Sequence, residues 1–405
     1  MGFRELQAQP FFPEPMMQRL NPIRLMLTSL CVVGALATSL QAADAEDLLG
    51  LAQLGEALFH DENLSMTRSQ SCASCHDPEQ GFGDPRRAAD GAFSLGDDAE
   101  SLGNRNAPTA SYAAFIPPFH QDEDGKWVGG LFWDGRANSL EEQAGGPPLN
   151  PIEMGLPDEA VLVERLRENP DYAERFAALF SADVLGDNAA GFAAMTKAIA
   201  AFERQKKFAP FSSKYDSYLA GKAEFSKEEE LGRTLFFSEQ FTNCNQCHQL
   251  RSSPLSAQET FSDYSYHNIG VPQNPSLFSE AGMKAGFLDE GLLANPRVND
   301  PAQRGKFRTP TLRNVAVTGP YMHNGVFQDL RTVVLFYNSY NSKSAAAQIN
   351  PETGQPWGQA PVPETLSTTE LTHGPALDAR RVDALVAFLK TLTDQRYEWL
   401  LDEAG

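Results

Sequence analysis

Basic residues are scarce in this chain. Its 33 lysines and arginines stand against 53 aspartates and glutamates, a formal net charge of −20 over 405 residues. A field of that sign repels phosphodiester backbones and anionic headgroups, so nucleic acid and an anionic membrane surface are excluded as partners. A basic electron-carrier protein would be attracted. Long apolar runs are nearly absent. Apart from residues 25–40, no segment is long and apolar enough to cross a membrane. Strand patterns are sparse as well. Cysteines and histidines are few, five and seven, so any clustering of them carries information.

The one apolar run follows Arg19 and Arg24 and reads "LMLTSLCVVGALATSL", with "QAADAED" after it. Basic residues, then an apolar stretch, then small residues, is the pattern of a cleaved export signal. Residues 1–43 are read as that signal. Cleavage then falls near Ala42 or Ala43, Cys31 is removed, and the mature protein is periplasmic without stable membrane insertion. Either Met16 or Met17 could be the true start.

The remaining four cysteines occupy two short stretches. "SCASCHD" holds Cys72, Cys75 and His76; "NCNQCHQ" holds Cys244, Cys247 and His248. A bare C-x-x-C is ambiguous between a zinc site and a redox dithiol. A histidine directly after it points to covalent c-type haem. Two thiols one turn apart can add to the two vinyl groups of one porphyrin edge. The adjacent imidazole then falls beneath the iron as its proximal ligand. Two covalent haem c groups are expected, which agrees with export because such attachment occurs outside the cytoplasm.

The two stretches end a longer repeat. Leu54-Gly55 and Leu58-Phe59 match Leu231-Gly232 and Leu235-Phe236, which suggests two related haem domains. The division is 44–215 and 216–405, with residues 209–230, small and polar, at the boundary. Apolar periodicity predicts amphipathic helices over Glu159–Phe180 and Ala189–Phe202, and a further one beginning at an N-cap Asp378. Gly-, Pro- and Asn-rich stretches such as 81–111 and 338–376 read as loops. The expected fold is mainly α, two cytochrome c-like haem domains with long loops.

Two irons do not by themselves make an enzyme. A carrier keeps both six-coordinate, whereas an enzyme leaves one face open beneath an acid–base group. Residues 77–119 contain no histidine, so the first iron has no strong candidate for its sixth site there. Met66, Met154 and His120 are the groups that could still fold over it.

"LFWDGRANSLEEQAGGPPLNPIEMG" and "FRTPTLRNVAVTGPYMHNGVFQDLRTVVLFY", together with both haem motifs, resemble the bacterial dihaem cytochrome c peroxidase/MauG family. The resemblance implies hydrogen peroxide as oxidant. It implies a distal carboxylate at Glu153, an inter-haem tryptophan at Trp133, and Gln143 and Pro147 lining the distal pocket. Arg105 and Arg136 are the candidates for haem propionates. Asn106 with the carbonyls of Thr318 and Pro320 matches the family's calcium site. Many peroxidases of the family have methionine fourteen residues after the histidine of "PYMH". Here that histidine is His323 and the position is Tyr337, as in MauG-like members. Leu330, Val333, Val334 and Tyr337 share one helical face, so Tyr337 is the expected sixth ligand of the second iron, with Met322 as runner-up. A phenolate is a hard donor that favours oxidised iron. The resemblance breaks at Thr242, six residues before His248, where MauG proper has the tryptophan through which its protein substrate is oxidised.

The expected function is peroxide reduction at the N-terminal haem, with electrons passing through the C-terminal haem from a cytochrome c or cupredoxin. A MauG-like maturase oxidising Trp or Tyr of a partner protein shares the same site. A pure dihaem electron carrier is the third reading. His60, His120, His267 and His373 are expected to be structural or surface residues.

Overall fold

In the computed structural model the described residues are 47–85, 92–250, 257–279, 281–284 and 286–403. The apolar run at 25–40 and the rest of the expected signal lie outside them. No helix among the described residues is long and apolar enough to cross a membrane.

The architecture is mainly helical, as expected. Among the described residues, strand is confined to two antiparallel two-stranded ribbons, His120–Gln121 with Trp127–Val128 and Tyr266–His267 with Phe307–Arg308. Residues 50–405 form one compact unit with two principal apolar clusters. The first gathers Leu54, Leu58, Phe59, Phe82, Met195 and Phe202, with Cys72 packed against it. The second gathers Leu235, Phe236, Phe261, Val382, Leu385 and Phe388, with Cys244 packed against it.

The sequence repeat becomes a packing repeat. Residues 50–59 are helical and cross the helix Asn188–Glu203 so closely that a Cβ on Gly55 would collide with the Ala198 carbonyl and the Phe202 side chain. The helix Lys227–Phe236 crosses Ala379–Lys390 in the same way. A Cβ on Gly232 would meet the Ala384 carbonyl and Phe388. Glycine is required at both crossings because nothing larger lets the backbones touch.

Local signals explain the helix ends. Asp378 caps its helix through the Arg381 N–H, and Asp187 caps Asn188–Glu203 through Ala190 N–H. The expected single helix over Glu159–Phe180 is instead two, Glu159–Glu168 and Pro170–Leu179. Pro170 lacks an N–H and disfavours helical backbone at Asn169, so the first helix stops there and Asn169 caps the second. Residues 209–230 are no loose boundary. They carry the helix Lys214–Leu219, whose Tyr215 is fully buried.

Candidate functional site

Each Cys-x-x-Cys-His stretch is a single tight turn. Cys72–Cys75 forms one helical turn capped by Ser71, and Cys244–Gln246 a 3-10 turn. All four thiols are unbridged and partly buried. Burial, with the Glu203 and Cys75 charges nearby, pushes Cys72 up to about 12. Cys247 is pushed to about 12 as well, by burial and then Asp263.

The two histidines are held alike. His76 Nδ1 donates to the Phe82 carbonyl at 3.2 Å, and His248 Nδ1 to the Phe261 carbonyl at 3.1 Å. Both phenylalanines take left-handed backbone, φ 56° and 55°, which turns each carbonyl onto its imidazole. With Nδ1 committed, Nε2 keeps its lone pair for a metal. Burial lowers the basicity of both rings, favouring the neutral, ligating form.

Beside the second motif lies a cavity of about 280 Å³. Its wall includes Cys244, Cys247, His248, Tyr337, Met322 and Trp133. Tyr337 projects from the helix Leu330–Ser339. Burial and then the two cysteines, Cys247 before Cys244, hold its phenol well above its ordinary range. Tyr337 lines this cavity together with Leu330, Val333 and Val334 of the same helical face. Met322 reaches the same wall from a left-handed residue, φ 73°. The apolar wall, paired thiols and free imidazole nitrogen fit a covalently held porphyrin.

Around the first motif, Cys72 and Ala73 share an apolar cluster with Ala144, Leu149 and Met154. That cluster joins the motif to the segment carrying Gln143, Pro147 and Glu153. Gln143 lies in the helix Leu140–Ala144, and Pro147 is the second residue of the turn Gly146–Leu149. Pro147 O accepts from Asn150 and Met154 N–H groups, 3.2 Å each. Glu153 is half-buried. Burial raises its carboxyl, while the Arg136 charge and a hydrogen bond from Asn150 oppose that. The net effect is a carboxyl held above its ordinary range, chiefly by burial.

Trp133 is buried, and its indole N–H donates to the Asn106 carbonyl at 2.8 Å. Asn106 N–H in turn donates to the His323 carbonyl at 2.8 Å, and its side-chain amide to the Pro320 carbonyl at 2.7 Å. The expected calcium donors Asn106 and Pro320 are thus brought together. With the amide oriented this way, its N–H faces the carbonyl that calcium would share. A flipped amide would present oxygen, which suits calcium's preference for hard donors. Thr318 donates through its hydroxyl to Asn314 O at 3.1 Å.

The two arginines expected at propionates are otherwise engaged. Arg105 bonds both Asp289 oxygens and Asp134, each at 2.7 Å. Arg136 pairs with Asp134 at 3.0 Å and lies 3.6 Å over the Phe132 ring. Sequence reasoning missed two residues at the second cavity. His267, expected to be structural or surface, lines it, with Nε2 3.4 Å from the Cys247 sulfur and 2.8 Å from Ser265 Oγ. It reaches the cavity from a two-residue strand opposite Phe307, too short to leave an alternation in the sequence. Arg308, the neighbouring residue of that ribbon, also lines the cavity. His60, His120 and His373 are exposed, as expected. Met66 is 54% exposed, so of the three groups that could fold over the first iron only Met154 is buried.

The fold and paired motifs define a dihaem oxidoreductase, and comparison with known proteins agrees. Residues 50–224 match the family model described as di-haem cytochrome c peroxidase. The chain is 52% identical over 374 residues to the methylamine utilization protein MauG of Paracoccus denitrificans, covering 92% of this chain and 95% of that one. It is 33% identical to cytochrome-c peroxidase IdrP1 of Denitromonas iodatirespirans, covering 71% and 72%. The crystal structure of the diheme peroxidase BthA from Burkholderia thailandensis superposes with a TM-score of 0.73 at 33% identity, over 86% of each chain. The chain belongs to the di-haem cytochrome c peroxidase/MauG family, a family of dihaem oxidoreductases.

Proposed function

We propose that this protein is exported to the periplasm and uses hydrogen peroxide, through haems held at Cys72/Cys75/His76 and Cys244/Cys247/His248, to drive oxidation in the MauG-like manner. When bound, the haems supply the iron that takes peroxide and the redox levels that store its two oxidising equivalents.

The chain's own residues divide the remaining work. Glu153 accepts a proton from the bound peroxide and returns it to the departing oxygen. Gln143 and Pro147 shape the space in which that occurs. Trp133, on the wall of the second cavity, offers an aromatic bridge between the two centres. Asn106, bonded to its indole N–H, fixes that bridge, and a calcium ion on Asn106, Thr318 and Pro320 would stiffen it further. Tyr337 would hold the second iron through its phenol oxygen, and Met322 is the alternative.

The presence of Tyr337 on the same cavity wall as both thiols of the second motif carries this reading. A hard oxygen ligand there disfavours a resting reduced state, so the second centre is suited to sharing an oxidising equivalent. The extent of the similarity to MauG, at 52% identity, favours a protein substrate over a small electron-donor protein such as a cytochrome c or cupredoxin. Thr242 means that any such substrate is reached by another exit than the family's tryptophan.

Mixing the diferric protein with one equivalent of peroxide tests the reading. A rapid Soret change without donor or prior reduction is expected. No reaction until one haem is reduced would place the protein with reductively activated peroxidases, and no reaction at all would leave an electron carrier. Glu153→Gln should slow the peroxide step by about 10²- to 10⁴-fold, the usual worth of a positioned acid–base group, with both haems retained. Tyr337→Phe should change the low-spin spectrum; an unaltered spectrum would assign the ligand to Met322.

A further inference from the structure

Among the described residues two arginines are buried, Arg308 and Arg313, and they differ in what compensates their charge. Arg313, fully buried, pairs with both oxygens of Asp216 at 2.7 and 3.0 Å. Arg105 is clamped by Asp289 and Asp134. Arg308 is 5% exposed and forms no ion pair among the described residues. Its Nε donates to the Phe132 carbonyl at 3.3 Å and one terminal nitrogen to the Thr309 carbonyl at a long 3.5 Å. Most of the guanidinium's donors remain free, and the residue lines the cavity beside His248. Burial lowers its affinity for its proton, opposed by Tyr266, Tyr264 and Asp134, and Asp134 is itself paired with Arg105 and Arg136. An uncompensated buried charge costs several kcal/mol, so an anion is missing from this account.

We infer that the Arg308 guanidinium binds a propionate of the second haem and thereby ties that haem to the inter-haem tryptophan. A carboxylate on a porphyrin edge is the planar, bidentate partner a guanidinium fork fits. The backbone supplies the tie. Arg308 N–H donates to the Trp133 carbonyl at 3.0 Å, and its Nε to the carbonyl of the preceding residue. The ribbon pairing of Arg308 with Tyr266 holds this arrangement. Asp289 also lines the cavity but is neutralised by Arg105, so it does not compete for the Arg308 cation. The assignment rests on the second motif holding haem, independently of peroxide chemistry.

The test uses the full-length dihaem protein with Arg308→Gln and Arg308→Lys. The midpoint potential of the low-spin haem is followed by spectroelectrochemistry across about pH 6 to 9, and haem per chain is counted by pyridine haemochrome. Removing a cation beside the iron favours the ferric state, so Arg308→Gln should lower the potential. It should also add a pH-dependent step as the released propionate titrates. Arg308→Lys should restore much of the potential but keep part of that step, because an ammonium lacks the fork. Loss of the second haem alone, with the first retained, would equally support the clamp. A potential and pH profile unchanged in both variants would overturn it, as would loss of both haems together, which marks a general folding role. A wild-type protein with one haem per chain would instead defeat the reading of the second motif.

Discussion

Single residues carry the sharpest chemical signals, and several lie in buried acids rather than in the motifs. Glu203 ends the helix Asn188–Glu203, is 6% exposed, and one of its carboxyl oxygens has no hydrogen-bond partner among the described residues. Burial pushes it up to about 8, with Arg204 opposing and Glu141 reinforcing. Arg204 itself is bound by both Glu141 oxygens and so gives Glu203 little relief. A carboxyl whose folded pKa exceeds its unfolded one stabilises the protein fully only below the unfolded value, near 4.5. That contribution is lost progressively as pH rises through about 8. Glu203→Gln cannot ionise, so its melting temperature should fall less between about pH 5 and 8 than that of the wild type. Identical pH profiles by circular dichroism would show that Glu203 ionises freely.

At the scale of elements, the two glycine crossings organise the halves. Gly→Ala inside a helix ordinarily stabilises by about 1 kcal/mol. At Gly55 and Gly232 the new Cβ would stand 1.9 and 1.8 Å from a carbonyl oxygen of the opposing helix, so the sign should reverse. Each variant should lose on the order of 1–3 kcal/mol, the usual cost of overpacking. Thermal melts of Gly55→Ala and Gly232→Ala report this directly, and a raised melting temperature in either would mean that its helices can part without penalty. Separate clusters under the two crossings suggest, further, that each substitution weakens retention of the haem on its own side. The paired left-handed phenylalanines, Phe82 and Phe261, repeat the same logic in a loop, since each spends backbone strain to aim a carbonyl at its histidine.

For the molecule as a whole, one buried carboxylate connects segments far apart in sequence. Asp394 is fully buried and accepts from the Tyr112 hydroxyl at 2.8 and 3.0 Å, from Ser212 N–H at 2.9 Å and from the Asn314 amide at 3.0 Å. Its own N–H donates to Asn314 Oδ1 at 2.8 Å. Next to it, Arg313 lies 5.6 Å from the Tyr112 ring centre and 5.7 Å from that of Tyr215. Asp394→Ala removes the acceptor of four donors, the Tyr112 hydroxyl, the Ser212 N–H and hydroxyl and the Asn314 amide, and a donor left buried and unpaired costs about 1–3 kcal/mol. It should lower stability by several kcal/mol and split a single thermal transition into two, one per haem environment. A single unshifted transition monitored at both haem bands would show that the two halves are coupled elsewhere.

What the sequence determined by itself was whatever depends on short spacing. The thiol pairs and their histidines, the Asp378 cap and the Leu-Gly repeat each need only a few neighbouring residues, and the helix periodicity held except where Pro170 divides Glu159–Phe180 into two helices. The register of Leu330 to Tyr337 belongs with them, and it put the phenol on the cavity side. Tertiary structure decided the rest, because long-range pairing has no local trace. Arg105 and Arg136 both pair with Asp134, which is two residues from Arg136, and Arg105 also binds Asp289, 184 residues away, a partner that no local spacing announces. His267 and Arg308 gained the cavity only through a two-residue ribbon too short to register as strand pattern. Charge and spacing name the groups a site can use; which of them remain free to use is settled by what folds against them.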